Sequence, residues 1–434
     1  MYRKAYDQLL QWKNKQKRKP LILKGARQVG KSWLMEEFGR QEYKAFFKFN
    51  FDKDEELSAL FRHSKDAHFL IEQLGILAGQ SIEPEKHLLI FDEIQECPEA
   101  LGALKYFCED APEYHIVAAG SLLGTLLAQP QSYPVGKVNI LPVFPMSFGE
   151  FLQAAEPSLA DYFWRIEMGQ AVEGIFHERL LDYYRKYLIV GGMPECVAEW
   201  IDTRDAGEVA SIQDELIALY ENDFSKHNGK VNAGRILMVF RSIVTQLAKE
   251  NEKFLYGCVR PGARAREFEE AIEWLVSSGV LLRVYDVTKP LHPIKTYEDL
   301  KAFKLFLLDV GLLKRMAGIG NDAILLDKAF QFSGALAENF VLQQMQGTLD
   351  VPAHYFSPTG AAEIDFILQA GTDIVPIEVK AAENVRAKSF KEFIKKYHPQ
   401  RALRLSRRNA RQEEVIWDLP IYLAERVGEW LNKI

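Results

Sequence analysis

Leu21–Ser32 reads LILKGARQVGKS, and no other stretch limits the fold of this chain so tightly. An apolar run (Leu21, Ile22, Leu23) predicts a buried strand, and Trp33, Leu34, Met35 and Phe38 predict a helix after it. Between them, Gly25 and Gly30 bracket a loop closed by Lys31 and Ser32. Glycines in such a loop let backbone N–H groups curl around an anion at a helix N-terminus. The spacing G-x-x-x-x-G-K-[ST] therefore predicts a phosphate cradle made of Gly25, Ala26, Arg27, Gln28, Val29, Gly30, Lys31, Ser32 and Trp33. Lys31 would reach β/γ-phosphates and Ser32 would ligate Mg²⁺. The Arg27 side chain is expected to point away from the phosphates.

His87–Glu93, HLLIFDE, is an apolar strand ending in two acids. Asp92 is expected in the Mg²⁺ shell, and Glu93 is expected to polarise an attacking water. A strand that merely exposes two acids is the alternative, weakened by the glycine loop about sixty residues earlier. Lys44–Asp52 (KAFFKFNFD) and His115–Ser121 (HIVAAGS) predict two more strands. Ligands of open α/β sheets gather at the carboxyl ends of strands, where Asn50, Asp92, Glu93 and Ser121 all fall. Taken singly, Asn50 and Ser121 are equally well read as ordinary turn residues. The absence of an N/T-K-x-D segment disfavours guanine recognition.

GARQVGKS, FNFD, LLIFDEIQECP and AAGSLLG together resemble the AAA+-related ATPases widespread in bacteria and archaea. The resemblance implies ATP and Mg²⁺ as cofactors. It gives Ser121 a sensor role and makes Asn50 the polar switch that restrains Glu93. GKVNILPVFPMSFGEF (Gly136–Phe151) resembles a further segment of that family, with Lys137 where Arg is usual. Lys is a weaker, non-bidentate substitute for a phosphate contact. Gly191, Gly192, Pro194 and Glu195 match the family's GG-x-P-E element, for which a structural connector is the expected role.

Residues from about 149 to 225 are mostly helical by pattern. Helical spacing over Gly234–Lys249 and Ala265–Ser277, then strands at Val280–Val287 and Lys304–Leu308, suggest a winged helix. Arg260, Arg264 and Arg266 would favour DNA at the second helix. Glu267, Glu269, Glu270 and Glu273 on the same helix would repel it, which leaves a structural or protein-binding role open as well.

Ala362–Lys380 carries the second constellation. AEIDFIL and PIEVK predict a β-hairpin with Asp365 on one strand and Glu378 and Lys380 on one face of the other. This order resembles the PD-(D/E)XK nuclease superfamily, with Ile364 in place of the proline. Glu338, on the helix predicted over Ala335–Gln344, resembles its helical acid. The resemblance implies that Asp365, Glu378 and Glu338 hold Mg²⁺ and that Lys380 is catalytic, orienting water or neutralising charge. Lys388, Lys391, Lys395, Lys396, Arg401, Arg404, Arg407, Arg408 and Arg411 suggest a positive face for DNA or RNA.

The expected architecture is α/β: an AAA+-like P-loop parallel-sheet domain (1–155), a helical connector (156–225), a winged-helix-like segment (226–325) and a restriction-endonuclease-like domain (326–434). Length allows two or three domains. A net charge of −6 argues against a uniformly basic coat for nucleic acid. Four cysteines (Cys97, Cys108, Cys196, Cys258), with no C-x-x-C pair, suggest reduced thiols and a cytoplasmic protein. No leader and no membrane span are expected. Two functions follow: an ATPase coupled to a nucleic-acid-acting nuclease-like domain, or a nucleotide switch whose inactive nuclease-like module docks protein or DNA. A protein partner or a homo-oligomer is compatible with either.

Overall fold

The computed structural model describes residues 1–120, 134, 136–227, 229–249, 253–326, 331–358, 363–381 and 388–432. The chain packs as two units, one of Met1–Phe144 with Ser277–Gly279, the other of Pro145–Val276 and Val280–Ile434.

In the first unit, β1 (Leu21–Lys24), β2 (Ala45–Asn50), β3 (His87–Asp92), β4 (His115–Gly120) and β5 (Asn139–Pro142) form a parallel sheet in the order β2-β3-β4-β1-β5. β3 and β4 are buried along their whole length, as expected of parallel strands covered on both faces. Their apolar side chains meet a phenylalanine-rich core. Phe91 packs edge-on against Phe51 (5.7 Å), Phe61 (5.7 Å) and Phe49 (6.2 Å). β1 is flanked by β4 and β5, so its carboxyl end opens at the point where strand order reverses. The glycine loop leaves from there and enters the helix Lys31–Glu42.

The second unit begins with helices Phe148–Ala155, Pro157–Arg165, Gly174–Val190, Pro194–Thr203, Ala206–His227 and Gly229–Leu247. Helix Ala265–Ser277 follows, then an eight-stranded mixed sheet. Its strands are β6 (Leu281–Val287), β7 (Glu298–Leu307), β8 (His354–Phe356), β9 (Ile364–Ala370), β10 (Asp373–Val379), β11 (Ala402–Ser406), β12 (Arg411–Glu413) and β13 (Ile416–Pro420). The order is β12-β13-β11-β10-β9-β8-β6-β7.

The hairpin read from sequence as a wing is therefore no free-standing wing. β6 pairs antiparallel with β7 and parallel with β8, at Tyr285↔His354 and Asp286↔Tyr355. The physical reason lies in β6: a seven-residue strand with buried apolar positions at Leu281, Val284 and Val287 has apolar side chains to cover and an edge beyond β7 to pair.

The two glycines of the GGMP turn are fixed by a buried polar network within this unit. Gly191 ends helix Gly174–Val190 at φ 76°. Gly192 N–H donates to Asp309 Oδ2 (2.6 Å), and its carbonyl accepts from Met146 N–H (2.6 Å). Asp309 caps helix Val310–Met316 through Leu312 N–H (3.0 Å) and accepts from Gln343 (3.0 Å). Gln344 receives Phe148 N–H at 2.6 Å. A Cβ on Gly192 would lie 2.1 Å from the Met146 carbonyl oxygen, so only glycine fits.

Candidate functional site

The loop after β1 is shaped by backbone choices at Gln28 (φ 61°) and Gly30 (φ 88°), both left-handed. Gly25 is needed for close approach: a Cβ there would meet the Val143 carbonyl oxygen at 2.1 Å. Lys31 Nζ donates to the carbonyls of Gly25 (2.9 Å) and Ala26 (2.7 Å), which lays the ammonium across the loop. Burial lowers its pKa to about 8, against the upward pull of Glu93 and Asp92. Trp33 is exposed on the first turn of the helix.

Parallel pairing of β2 with β3 sets Asn50 beside Asp92 in register. Asp92, 4% exposed, accepts from Ser32 Oγ (3.1 Å) and from Glu93 N–H (3.2 Å) through Oδ1. Its Oδ2 lies 2.9 Å from Lys48 Nζ, which also reaches Glu36 Oε1 at 2.7 Å. A hydroxyl and a carboxylate meeting at a helix start and a strand end supply the hard oxygen donors that Mg²⁺ prefers. Glu93 adopts φ 51°, an uncommon conformation for a non-glycine residue. Gln95 Nε2 donates to its Oε2 at 2.5 Å. Asn50 Oδ1 instead accepts from Asp52 N–H (3.0 Å) in a local turn. Ser121 lies outside the described residues. Lys137 forms an ion pair with Glu109 at 2.7 Å.

Three residues here escaped the sequence reading. Lys48 and Gln95 sit two positions from Asn50 and Glu93, in side-chain types that no spacing rule singles out. Arg3 is 4% exposed and donates to the carbonyls of Val29 (2.9 Å) and Phe144 (2.7 Å), holding the loop from behind. It lies more than twenty residues before the loop, so no local pattern announces it.

In the second unit, β9 and β10 pair antiparallel and bring Asp365 next to Glu378. Asp365 Oδ2 accepts from Val379 N–H (2.7 Å), and Glu378 Oε1 is 2.5 Å from Lys380 Nζ. Glu378 Oε2 is buried without a hydrogen-bond partner. Burial raises the Asp365 pKa well above its ordinary value, and neighbouring Glu338 and Glu378 add to the rise. Glu378 and Glu363 are also raised, chiefly by burial. Lys380 is raised despite its burial, because Glu378 and Asp365 face it.

The group has a member from β7. Lys304, 1% exposed, forms an ion pair with Glu363 and lies 3.5 Å from Glu338 Oε2. Its ammonium stands 5.3 Å from the centre of the Tyr355 ring. Among the described residues, no three His, Cys, Asp or Glu side chains are grouped to hold one metal ion.

The basic run is divided by the fold. Lys388, Lys391, Lys395 and Lys396 are exposed on helix Lys388–Tyr397. Arg404 is instead buried on β11 and paired with Asp418 of β13 (2.9 Å), and Arg401 pairs with Asp373 (3.1 Å). β11 lies between β13 and β10 and is buried along its whole length, so Arg404 is buried there despite its charge.

Among the described residues no helix is long and apolar enough to cross a membrane. The chain is similar at low identity to three archaeal proteins of known structure. The Walker-type ATPase PABY2304 of Pyrococcus abyssi shares 14% identity at a TM-score of 0.44, over 72% of this chain and 94% of that one. The ORC1 protein of Aeropyrum pernix, solved with DNA, shares 12% at 0.28, over 73% and 91%. Cdc6p of Pyrobaculum aerophilum shares 12% at 0.24, over 74% and 94%. No curated protein matches the sequence. Residues 181–323 and 333–423 match two family models, each described as a domain of unknown function. Residues 17–152, the stretch that holds the parallel sheet and the glycine loop, match the family model described as an AAA domain.

Proposed function

We propose that this chain binds ATP with Mg²⁺ at the Gly25–Trp33 loop, hydrolyses it, and uses the cycle to control a nuclease-like carboxyl-terminal module. The observation that carries the reading is the convergence of Lys31, Ser32, Asp92 and Glu93 on the carboxyl ends of β1 and β3. Loop N–H groups and the start of helix Lys31–Glu42 would bind the phosphates. Lys31 would move from the loop carbonyls to the phosphate charge. Ser32 and Asp92 would hold Mg²⁺, which when bound neutralises charge on the transferred phosphate. Glu93 would orient the attacking water, with Gln95 fixing its carboxylate.

Asp365 and Glu378 form a two-carboxylate cation site in the second unit, with Lys380 beside the reacting phosphate. The exposed lysines of helix Lys388–Tyr397 supply the face for DNA or RNA. The four-part division at 155, 225 and 325 stands as a functional proposal.

A second reading has its own observation. Lys304 and Lys380 already compensate part of the acid group, as a module retained for docking protein or DNA would require.

Turnover and binding test the first reading together. Glu93→Gln is expected to keep ATP affinity while phosphate release falls by about 10²-fold or more. Lys31→Ala should lose affinity. Unchanged turnover in the first variant would remove Glu93 from catalysis, and unchanged affinity in the second would remove the loop from phosphate binding.

A further inference from the structure

Four carboxylates stand together in the second unit, and a buried lysine is set against two of them. Glu338 and Glu363 face Lys304, whereas Asp365 and Glu378 lie side by side across the β9–β10 ladder, with Lys380 at the end of β10. Lys304 belongs to a strand that the sequence assigns to the middle of the chain. It is held there by the β6–β7 hairpin, with Lys304 opposite Val284. At 1% exposure its ammonium cannot be solvated from outside or touch a large substrate. A buried charge of that kind is tolerated only against opposite charge at short range. Its position over the Tyr355 ring adds a second electron-rich neighbour.

Two further atoms are unmatched. Glu378 Oε2 is buried without a hydrogen-bond partner, in a side chain more than nine-tenths buried, and the fully buried Tyr355 hydroxyl also lacks one. A buried carboxylate oxygen without a donor calls for a cation.

We infer that Lys304 is a built-in counter-cation, filling a position that a metal ion would otherwise take between Glu338 and Glu363, so that only the Asp365–Glu378 pair accepts a divalent cation. The inference rests on the proposed cation role of Asp365 and Glu378. The arrangement accounts for the lack of a three-carboxylate cluster among the described residues.

Mn²⁺ binding by the full chain tests this, read as loss of the free-ion signal in electron paramagnetic resonance. Asp92→Asn is carried throughout to remove binding at the glycine-loop site. Lys304→Met is expected to bind one more Mn²⁺ than its parent, and to have a lowered melting temperature that millimolar Mn²⁺ restores. Lys304→Arg should keep the parent's count. An unchanged count in Lys304→Met, or a melting temperature that Mn²⁺ does not restore, would overturn the inference. So would a Lys304→Met chain that cannot be refolded even with Mn²⁺ present. The parent's own count reports separately on Asp365 and Glu378: one ion, lost in Glu378→Gln, supports that site, and none refutes it. The difference between Lys304→Met and its parent reads Lys304 in either case.

Discussion

An ammonium buried as deeply as that of Lys31 keeps its proton only while anionic charge faces it. Its pKa of about 8 lies below the ordinary 10.5, so burial outweighs Glu93 and Asp92. The protonated form is the one that binds phosphate. ATP affinity is therefore expected to hold below pH 8 and to fall above it, by up to about tenfold per pH unit. Calorimetric titrations between pH 7 and 9.5 measure this, and a flat profile would contradict it. The sign for stability is opposite. The folded chain releases this proton before the unfolded chain does, so the group's penalty is greatest at low pH and relaxes between about 8 and 10.5. The residues proposed to carry the chemistry, Lys31, Ser32, Asp92 and Glu93, were legible because such a reaction constrains their types and spacing. Arg3, Lys48, Gln95 and Lys304 were not. Each acts by holding another group, and a holding residue can come from any strand or helix that passes nearby.

Elements follow the same division. The strands β1 and β3 are apolar runs ending in a charged residue, and β4 runs apolar to Gly120, so all three could be located from sequence. The hairpin β6–β7 was also visible, yet its neighbour β8 was not. Three residues, His354–Phe356, give too short a run to show alternation, and they join β6 only because both edges are open. Arg404 misled for a related reason: a charge on a central strand reads as surface until the partner strand supplies Asp418. The GGMP turn could be recognised as punctuation, but its cause, the carbonyl of Met146 and the carboxylate of Asp309, lies far away in sequence. Gly192→Ala is expected to cost about 1–3 kcal/mol, because the added methyl has no place to go against backbone. Urea unfolding should show a lower midpoint with little change in slope. A midpoint within experimental scatter of the parent would mean that the Met146 segment can shift freely.

Across the whole molecule, the sheet of the second unit crosses the limits suggested by sequence. The family models end at residue 323 and resume at 333, and the sequence pattern breaks at 325. The eight-stranded sheet joins residues on both sides. A fragment of residues 326–434 would begin after β6 and β7, leaving the β8 edge unpaired and Glu338 and Glu363 without Lys304. It is expected to lack the cooperative unfolding of the full chain and to bind a dye specific for exposed apolar surface. A fragment starting before β6 should recover more of the cooperativity. A sharp, reversible melting transition in the 326–434 fragment would refute this view.

The parallel junction of β6 with β8 also has a consequence for the chain as it is made. The hairpin leaves the ribosome roughly fifty residues before its partner strand, a delay of about 2–10 s at ordinary rates of translation. Through that interval β6 presents an open row of N–H and C=O groups, and Lys304 has neither of its acids. The nascent hairpin thus carries an exposed edge until β8 has been made.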